Sequence, residues 1–403
     1  MKKFHIVGAF DRHNYGDILF PLIHSAIIKS ATNTPTEINF YAITSADLTS
    51  QGGVVTQSIK ALIQNSPGED DVVIMSGGDI LCVDWPTMAG HVCSPAIFFA
   101  IRAFRKIFGF RVANYLTKNA LLQKNEFPYI LSRVNLNSKV YYSCVGGSGF
   151  NSKKNQDHIG RVAAEIKQTD GISVRDLSVQ QLLAKNGVEA RLVPDSALVM
   201  SDIFPLEGLE TREWKKNLRK TPGFSSTNYI VFQGAKSFIS AKLEDISEQL
   251  FTISKTTGLS ILLLPIGRAT GHEDQVALER LYKLLGSMGI PSAIQDSAHV
   301  LDIMASIALS KSYIGTSLHG AITAYSFGHK VCGIATEKVK KLHNFVSTWM
   351  QEEDYHLANK TTFAEEFIYL IKDSYRIKNS EKLEKHKKAI YQELAIYRES
   401  QKT

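Results

Sequence analysis

Short, unbroken apolar runs bounded by turn residues recur along this chain, and between them lie stretches whose apolar residues fall at helical spacing. A run that is apolar throughout, rather than at alternate positions, reads as a strand covered on both faces, as in parallel sheets. Residues 4–7, 38–43, 72–75, 140–145, 172–174 and 191–193 form such runs in the first half, and 229–233, 261–264, 313–315 and 331–334 in the second. Helical spacing covers 18–29, 179–184, 241–255, 274–285 and 300–309. Strand and helix in alternation predict a doubly wound α/β fold. The rhythm breaks between Phe204 and Asn228, where Pro205, Gly208, Pro222 and Gly223 interrupt it. Two open sheets facing a central cleft follow, one in a lobe over 1–205 and one in a lobe over 206–372. Beyond them, 373–403 reads as a charged, solvated helix with a narrow apolar stripe at Leu383, Ile390, Leu394 and Ile396. Length agrees, since 403 residues at roughly 150 per domain fill two cores.

With 44% hydrophobic and 21% charged residues, collagen-like, disordered and small disulfide-stapled classes are excluded. No apolar run reaches the roughly 18 residues of a membrane-spanning helix. The apolar stretch after Lys2 and Lys3 is too short for a secretory signal, so the expected location is cytoplasmic. Cys82, Cys93, Cys144 and Cys332 lack C-x-x-C spacing and read as buried thiols, neither a zinc site nor a disulfide framework. A formal charge of +7 favours an anionic partner: a phosphorylated metabolite, an acidic glycan, a membrane surface or nucleic acid. Nucleic acid is the poorest fit, because no recognised module appears and the cations are dispersed. One segment stands apart: 96–122 interleaves five phenylalanines with Arg102, Arg105, Lys106, Arg111 and Lys118. The expectation is a core helix with snorkelling cations; peripheral association with the inner face of a membrane is the alternative.

Ligands of open α/β sheets sit beyond the carboxyl ends of strands, so loops after strands hold the candidates. The first loop, Gly8 to Asp17, carries Asn14 and Gly16 at a helix start, where backbone amides attract anions. Asp17 there reads as the helix N-cap. It matches neither the dinucleotide nor the P-loop pattern. Ser76-Gly77-Gly78-Asp79 follows the third apolar run, with glycines that admit a close ligand. Arg175 ends the run 172–174 and offers a planar fork for carboxylate or phosphate, with an ion pair to Asp176 as the plain alternative. Asp195, after Pro194, reads as a structural cap. After the run 261–264, Arg268 or His272 is an expected anion contact, with helix capping by Glu273 or Asp274 as the other reading. Thr316-Ser317-Leu318-His319-Gly320 is the most informative loop: hydroxyls and amides at a helix start beside one histidine able to exchange a proton. Lys338 or Lys341 adds positive charge to the same cleft. No Asp-x-Asp pair occurs, so nothing suggests a metal-bridged diphosphate.

Taken in order, Asn14-Tyr-Gly-Asp17, Gly77-Gly78, Val174-Arg175-Asp176 with Ser178 and Leu182, Pro194-Asp195 and Leu318-His319-Gly320 resemble the polysaccharide pyruvyl transferase family over roughly residues 12 to 340. Two positions depart from the pattern: Ser317 stands where an arginine often precedes Leu-His, and Asp79 where a third glycine is common. The resemblance implies two Rossmann-like lobes in a GT-B-like arrangement. It implies transfer of pyruvate from phosphoenolpyruvate to a sugar of a cell-surface polysaccharide or its lipid-linked precursor, as a cyclic ketal, and it puts Arg175 and His319 at the donor site. The scheme makes His319 the general acid/base or a hydrogen-bond donor to the phosphate, Arg175 the donor clamp and Asp17 a base or acceptor contact from the opposite lobe. Asn14, Gly16, Gly77, Gly78, Asp79, Arg268, Thr316, Ser317, Leu318 and Lys338 are the expected substrate contacts, with the amides of Thr316 and Ser317 among the anion donors. Phosphoenolpyruvate is a substrate here, and no metal or other cofactor is required. A nucleotide-sugar-dependent glycosyltransferase on the same architecture is the alternative.

Overall fold

The computed structural model describes residues 2–32, 36–121, 123–151, 156–269, 273–334, 340–359 and 362–399. The apolar runs are strands, buried between helical layers on both sides. Among the described residues the first sheet holds β1 (Lys3–Val7), β2 (Glu37–Ala42), β3 (Ala46–Asp47), β4 (Val55–Ser58), β5 (Val72–Ser76), β6 (Lys139–Val145), β7 (Gly171–Val174) and β8 (Arg191–Leu192). Its spatial order is β3-β4-β2-β1-β5-β6-β7-β8, parallel apart from the short β3–β4 pair. The second sheet holds β9 (Leu218–Lys220), β10 (Tyr229–Gln233), β11 (Ser260–Leu263), β12 (Ser292–Gln295), β13 (Tyr313–Gly315), β14 (Val331–Ile334) and β15 (Tyr355–Ala358). Its order is β15-β14-β13-β10-β11-β12-β9, with only β9 antiparallel. The two sheets thus end at Leu192 and begin again at Leu218, on either side of the expected boundary at 205. β12 and β15 escape a reading by apolar runs because Ser292, Gln295 and His356 interrupt them.

Helix α1 (Tyr15–Ala31) belongs to the first lobe, yet its Tyr15, Phe20 and Ile23 share one buried cluster with Tyr229, Tyr313 and Leu318 of the second. At about 1.5–3 kcal/mol for each fully buried large apolar side chain, this shared core holds the lobes together. The C-terminal helix, Ser380–Glu399, exposes a charged face and buries the expected apolar stripe, which makes it a strap. Leu383, Ile390 and Leu394 are buried, Lys387 donates to Asp202 at 2.6 Å, and Arg191 at the end of β8 donates to Glu393 at 2.8 Å. Cys144 and Cys332 are buried as expected, whereas Cys82 and Cys93 are half-buried; all four thiols are free.

The basic, aromatic segment is also corrected. It forms a helix over Pro95–Ala120, bent at Gly109, whose φ of 78° lies in the left-handed region that glycine tolerates. It is no core helix: Ile97, Phe99, Ile107, Phe108, Tyr115 and Leu116 are all exposed. No helix among the described residues is long and apolar enough to cross a membrane.

Candidate active site

In each sheet the chain order reverses beside one strand, β1 in the first and β10 in the second, and ligands of open α/β sheets bind at such points. The loop after β1 reaches across the cleft. Tyr15 N donates to the Ile266 carbonyl at 3.3 Å, the Arg268 and Ala269 amides donate to the His13 carbonyl at 3.3 and 3.1 Å, and His13 Nε2 donates to the Ala298 carbonyl at 2.6 Å. α1 starts at this junction. Its N-cap is Asn14, extended at φ −131°, whose side chain accepts from Gly16 N at 3.3 Å. The expected cap at Asp17 is therefore corrected. The helix begins three residues earlier, leaving Asp17 in the first turn, where its charge suits the positive end of the helix. Its carboxylate lies 3.6 Å from Arg12 Nη2.

The facing wall is the helix Leu318–Ser326, capped by Ser317, whose Oγ accepts from Gly320 N at 3.3 Å. His319 sits in its first turn, edge-on to Phe20 with ring centroids 5.4 Å apart. A Cβ built on Gly16 would lie 1.8 Å from His319 Nδ1. Glycine at 16 is thus what lets the imidazole of one lobe rest against the helix of the other.

Behind His319 lies a buried charge cluster. Asp195 Oδ2 accepts from Arg175 Nη1 at 2.5 Å and lies 3.7 Å from His319 Nε2, while Oδ1 caps the following turn by accepting from Ala197 N at 2.9 Å. Arg175 Nη2 reaches Asp79 Oδ1 at 3.2 Å, and its Nε lies 3.7 Å from Asp176. Ser148 donates to Asp79 at 2.6 Å. Burial opposes the charge of Arg175, but Asp195, Asp79 and Asp176 outweigh it and hold the guanidinium ionised. Burial likewise opposes the Asp195 carboxylate, and Arg175 and then His319 override it, bringing its pKa to about 2. Arg175 therefore does not stand as an open fork. Carboxylates surround it: Asp195 and Asp176 are buried with it, and Asp79 reaches it from the cavity wall.

Asp176 differs. Its oxygens are sealed from solvent and accept no hydrogen bond from the described residues, and burial raises its pKa from 3.8 to about 6 against the pull of Arg175. Between those values the folded chain holds a proton that the unfolded chain has lost. Asp176's own contribution to stability therefore falls as pH rises from about 4 to about 6, then stays level. Asp176→Asn removes this loss, so urea unfolding at pH 4 to 7.5 should show the variant gaining on wild type through that window, by about 3 kcal/mol at neutral pH. A difference independent of pH would count against this assignment.

The two walls enclose a cavity of about 360 Å³ bordered by Asn14, Asp17, Gly78, Asp79, Arg175, Thr316, Ser317, Leu318 and His319. Gly16 lies behind His319, and Gly77 turns the chain after β5 outside the cavity wall. Arg268 is corrected: it is off the wall, its Nη2 donating to the carbonyls of Gln295, Asp296 and Ser297 at 3.3, 3.2 and 3.2 Å, so it pins the loop after β12. The amides of Thr316 and Ser317 are corrected as anion donors, because both donate to Gln233 Oε1, at 3.2 and 2.9 Å. Lys338 and His272 lie outside the described residues.

Sequence reasoning gave Asp195 too small a role, read Asp274 only as a candidate cap, and passed over Arg12 and Gln233. Arg12 borders the cavity between Asp17 and Tyr129, which with Asp11 keep it charged against its burial. Gln233 Nε2 donates to Asp274 at 3.2 Å and so fixes the loop that carries His319. A polar residue ending an apolar strand was the available signal. Lys341 borders the cavity as a positive contribution from the second lobe. Among the described residues no three His, Cys, Asp or Glu side chains are placed as a metal set.

A family model described as polysaccharide pyruvyl transferase matches residues 14–338. No curated protein matches the chain. Among solved structures, UDP-GlcNAc 2-epimerase from Neisseria meningitidis, bound to UDP-GlcNAc, aligns with a TM-score of 0.55 at 11% identity, covering 99% of each chain. The UDP-GlcNAc 2-epimerase of Methanocaldococcus jannaschii aligns at 0.54 and 13% identity over 94% of each chain. That of Rickettsia bellii aligns at 0.55 and 10% identity, over 99% of this chain and 96% of its own. At such identities the shared property is the two-lobed α/β fold.

Proposed function

The chain belongs to the polysaccharide pyruvyl transferase family, and from that we propose that it moves pyruvate from phosphoenolpyruvate to two hydroxyls of one sugar as a cyclic ketal. The acceptor is a polysaccharide or its lipid-linked precursor. In the reaction the enol methylene carbon takes a proton, the adjacent carbon forms bonds to two sugar oxygens, and its bond to the phosphate oxygen breaks. Of the two hydroxyl protons, one balances the new methyl group and the other leaves with phosphate.

One observation carries the reading. A single carboxylate oxygen of Asp195 stands between Arg175 and His319, so the motif residues of both lobes form one unit at the cavity. His319 is the general acid/base, moving a proton between acceptor hydroxyl and donor. Arg175 is a positioning residue: it keeps Asp195 ionised, and Asp195 steadies the imidazole when it carries the proton. The donor's charges are met by Lys341, Arg12 and the first amides of the helix at Leu318, with no intrahelical partner of their own. Asp17 faces His319 from the opposite lobe as acceptor contact. Binding of donor and acceptor in the cleft displaces water, which would otherwise hydrolyse the activated enol ester.

The test is incubation with phosphoenolpyruvate and a panel of diol-bearing sugars, followed by phosphorus and proton NMR. Phosphate release that requires the acceptor, matched one to one by a new ketal methyl signal, is expected. Turnover of a nucleotide sugar with phosphoenolpyruvate untouched would overturn the reading.

A further inference from the structure

We infer that the helix Pro95–Ala120 is a surface anchor that seats the first lobe on an anionic membrane, lying in the headgroup layer without crossing it. This does not depend on the reaction proposed above.

The argument starts from where the exposed apolar side chains are. Of the thirteen large ones exposed among the described residues, eight lie between Ile97 and Leu121. That concentration is not a helix turned by chance. Its inner side is fastened: Asn114 accepts from Trp85 N at 2.9 Å and donates to the Glu126 carbonyl at 3.0 Å, Arg105 donates to Thr87 at 2.8 Å, and Ala113 is fully buried. With that side fixed, Phe99, Ala103 and Ile107 follow one another at four-residue intervals along an exposed line, and Arg102 and Lys106 occupy the next line of the same surface. Beyond the bend at Gly109, Val112 and Leu116 repeat the spacing beside Tyr115. Apolar rings and branches with long cations alongside are what a headgroup layer accepts: the apolar groups enter, and the charged ends stay at the phosphates.

Charge chooses the occupant. Between Asp84 and Glu126 the sequence has six Lys or Arg and no Asp or Glu. Arg105 pairs with Asp84 and Arg111 with Asp157, but the excess remains positive: a second copy of the same face would set cation against cation, whereas an anionic leaflet attracts them. The geometry also connects this face to the cavity. The helix Trp85–Val92 packs against it, and Thr87, Met88 and His91 of that helix border the cavity. Seating on a membrane thus sets the cavity close to the headgroups, where a lipid-linked glycan presents its sugars.

The full chain is mixed with phosphatidylcholine vesicles, with or without a quarter of phosphatidylglycerol, at about 0.15 M salt, and floated on a density gradient. Expected is recovery with the anionic vesicles at least ~10-fold above the neutral ones, and at least a ~10-fold loss in the double variant Ile107→Ser, Phe108→Ser. Lys106→Glu should weaken flotation in the same direction. Unchanged melting temperatures show that the variants fold, which their exposure predicts. Absence of flotation, equal flotation with neutral vesicles, or flotation indifferent to all three substitutions would overturn the inference. So would a concentration-dependent dimer that the double variant dissolves, seen by sedimentation in the absence of lipid. Flotation needs no turnover, so failure of the proposed reaction and failure of this inference are read separately.

Discussion

Replacing His319 with asparagine is expected to lower acceptor-dependent phosphate release by about 10²–10⁴-fold in kcat, the range that a positioned general acid/base supplies. The fold should survive. Among the described residues the ring's Nε2 makes no hydrogen bond; it lies 3.7 Å from Asp195, which keeps its bond to Arg175, and the ring otherwise rests on the edge of Phe20 and the bare backbone of Gly16, so the structural loss is mainly that of a packed ring. KM for phosphoenolpyruvate should move far less than kcat, because the donor's charges are met by other groups. A merely structural histidine makes the opposite prediction: a lower melting temperature with kcat nearly intact at temperatures where the variant is folded. Thermal unfolding followed by circular dichroism, with initial rates measured well below the transition, separates the two. A kcat within about threefold of wild type would remove His319 from the chemistry.

What could be read from sequence was what one segment determines by itself. The strands at Phe4, Val72 and Tyr229 announce themselves because both faces are buried and, apart from His5 and the strand ends, the positions are apolar. The loops that follow them are then the right places to look, and Asp17, Asp79, Arg175 and His319 do border one cavity. What could not be read was who meets whom. Asp195 looks like a cap and is one, through Oδ1; that Oδ2 stands between Arg175 and His319 depends on residues 20 before it and 124 after it in the chain. The Thr316 and Ser317 amides look available because nothing nearby in sequence fills them, and Gln233, more than 80 residues away, does. Arg268 looks like a cleft cation until three carbonyls of a separate loop are seen to hold it. The helix Pro95–Ala120 misled for a different reason. Apolar content predicts burial only when another element is there to cover it, and composition does not say whether one is.

Arg175→Met should be the most damaging single change to stability, at about 3–5 kcal/mol near neutral pH, the usual consequence of removing one partner from a buried ion pair. Methionine roughly fills the space, so the loss is electrostatic: Asp195 and Asp176, both buried, and Asp79 at the cavity wall are left with no guanidinium among them. The sign of the pH dependence follows. In wild type the Asp195 pKa of about 2 lies below the ordinary 3.8, so its contribution is present above pH 4 and disappears only as pH falls towards 2. In the variant the same carboxyls lack their cation, burial raises them, and the folded state recovers by taking up protons as pH falls from about 6 towards 4. The deficit measured by urea unfolding should therefore be greatest at pH 7 to 8 and shrink at pH 4.5. Adding Asp195→Asn to Arg175→Met should restore part of the lost stability, a non-additivity that two independent sites would not show. Arg175→Lys should recover less than its charge suggests, because one ammonium cannot face three carboxylates as the planar fork does. A deficit of equal size at every pH, unrelieved by the second substitution, would mean that Arg175 matters for its bulk alone and that Asp195 is not held ionised for His319.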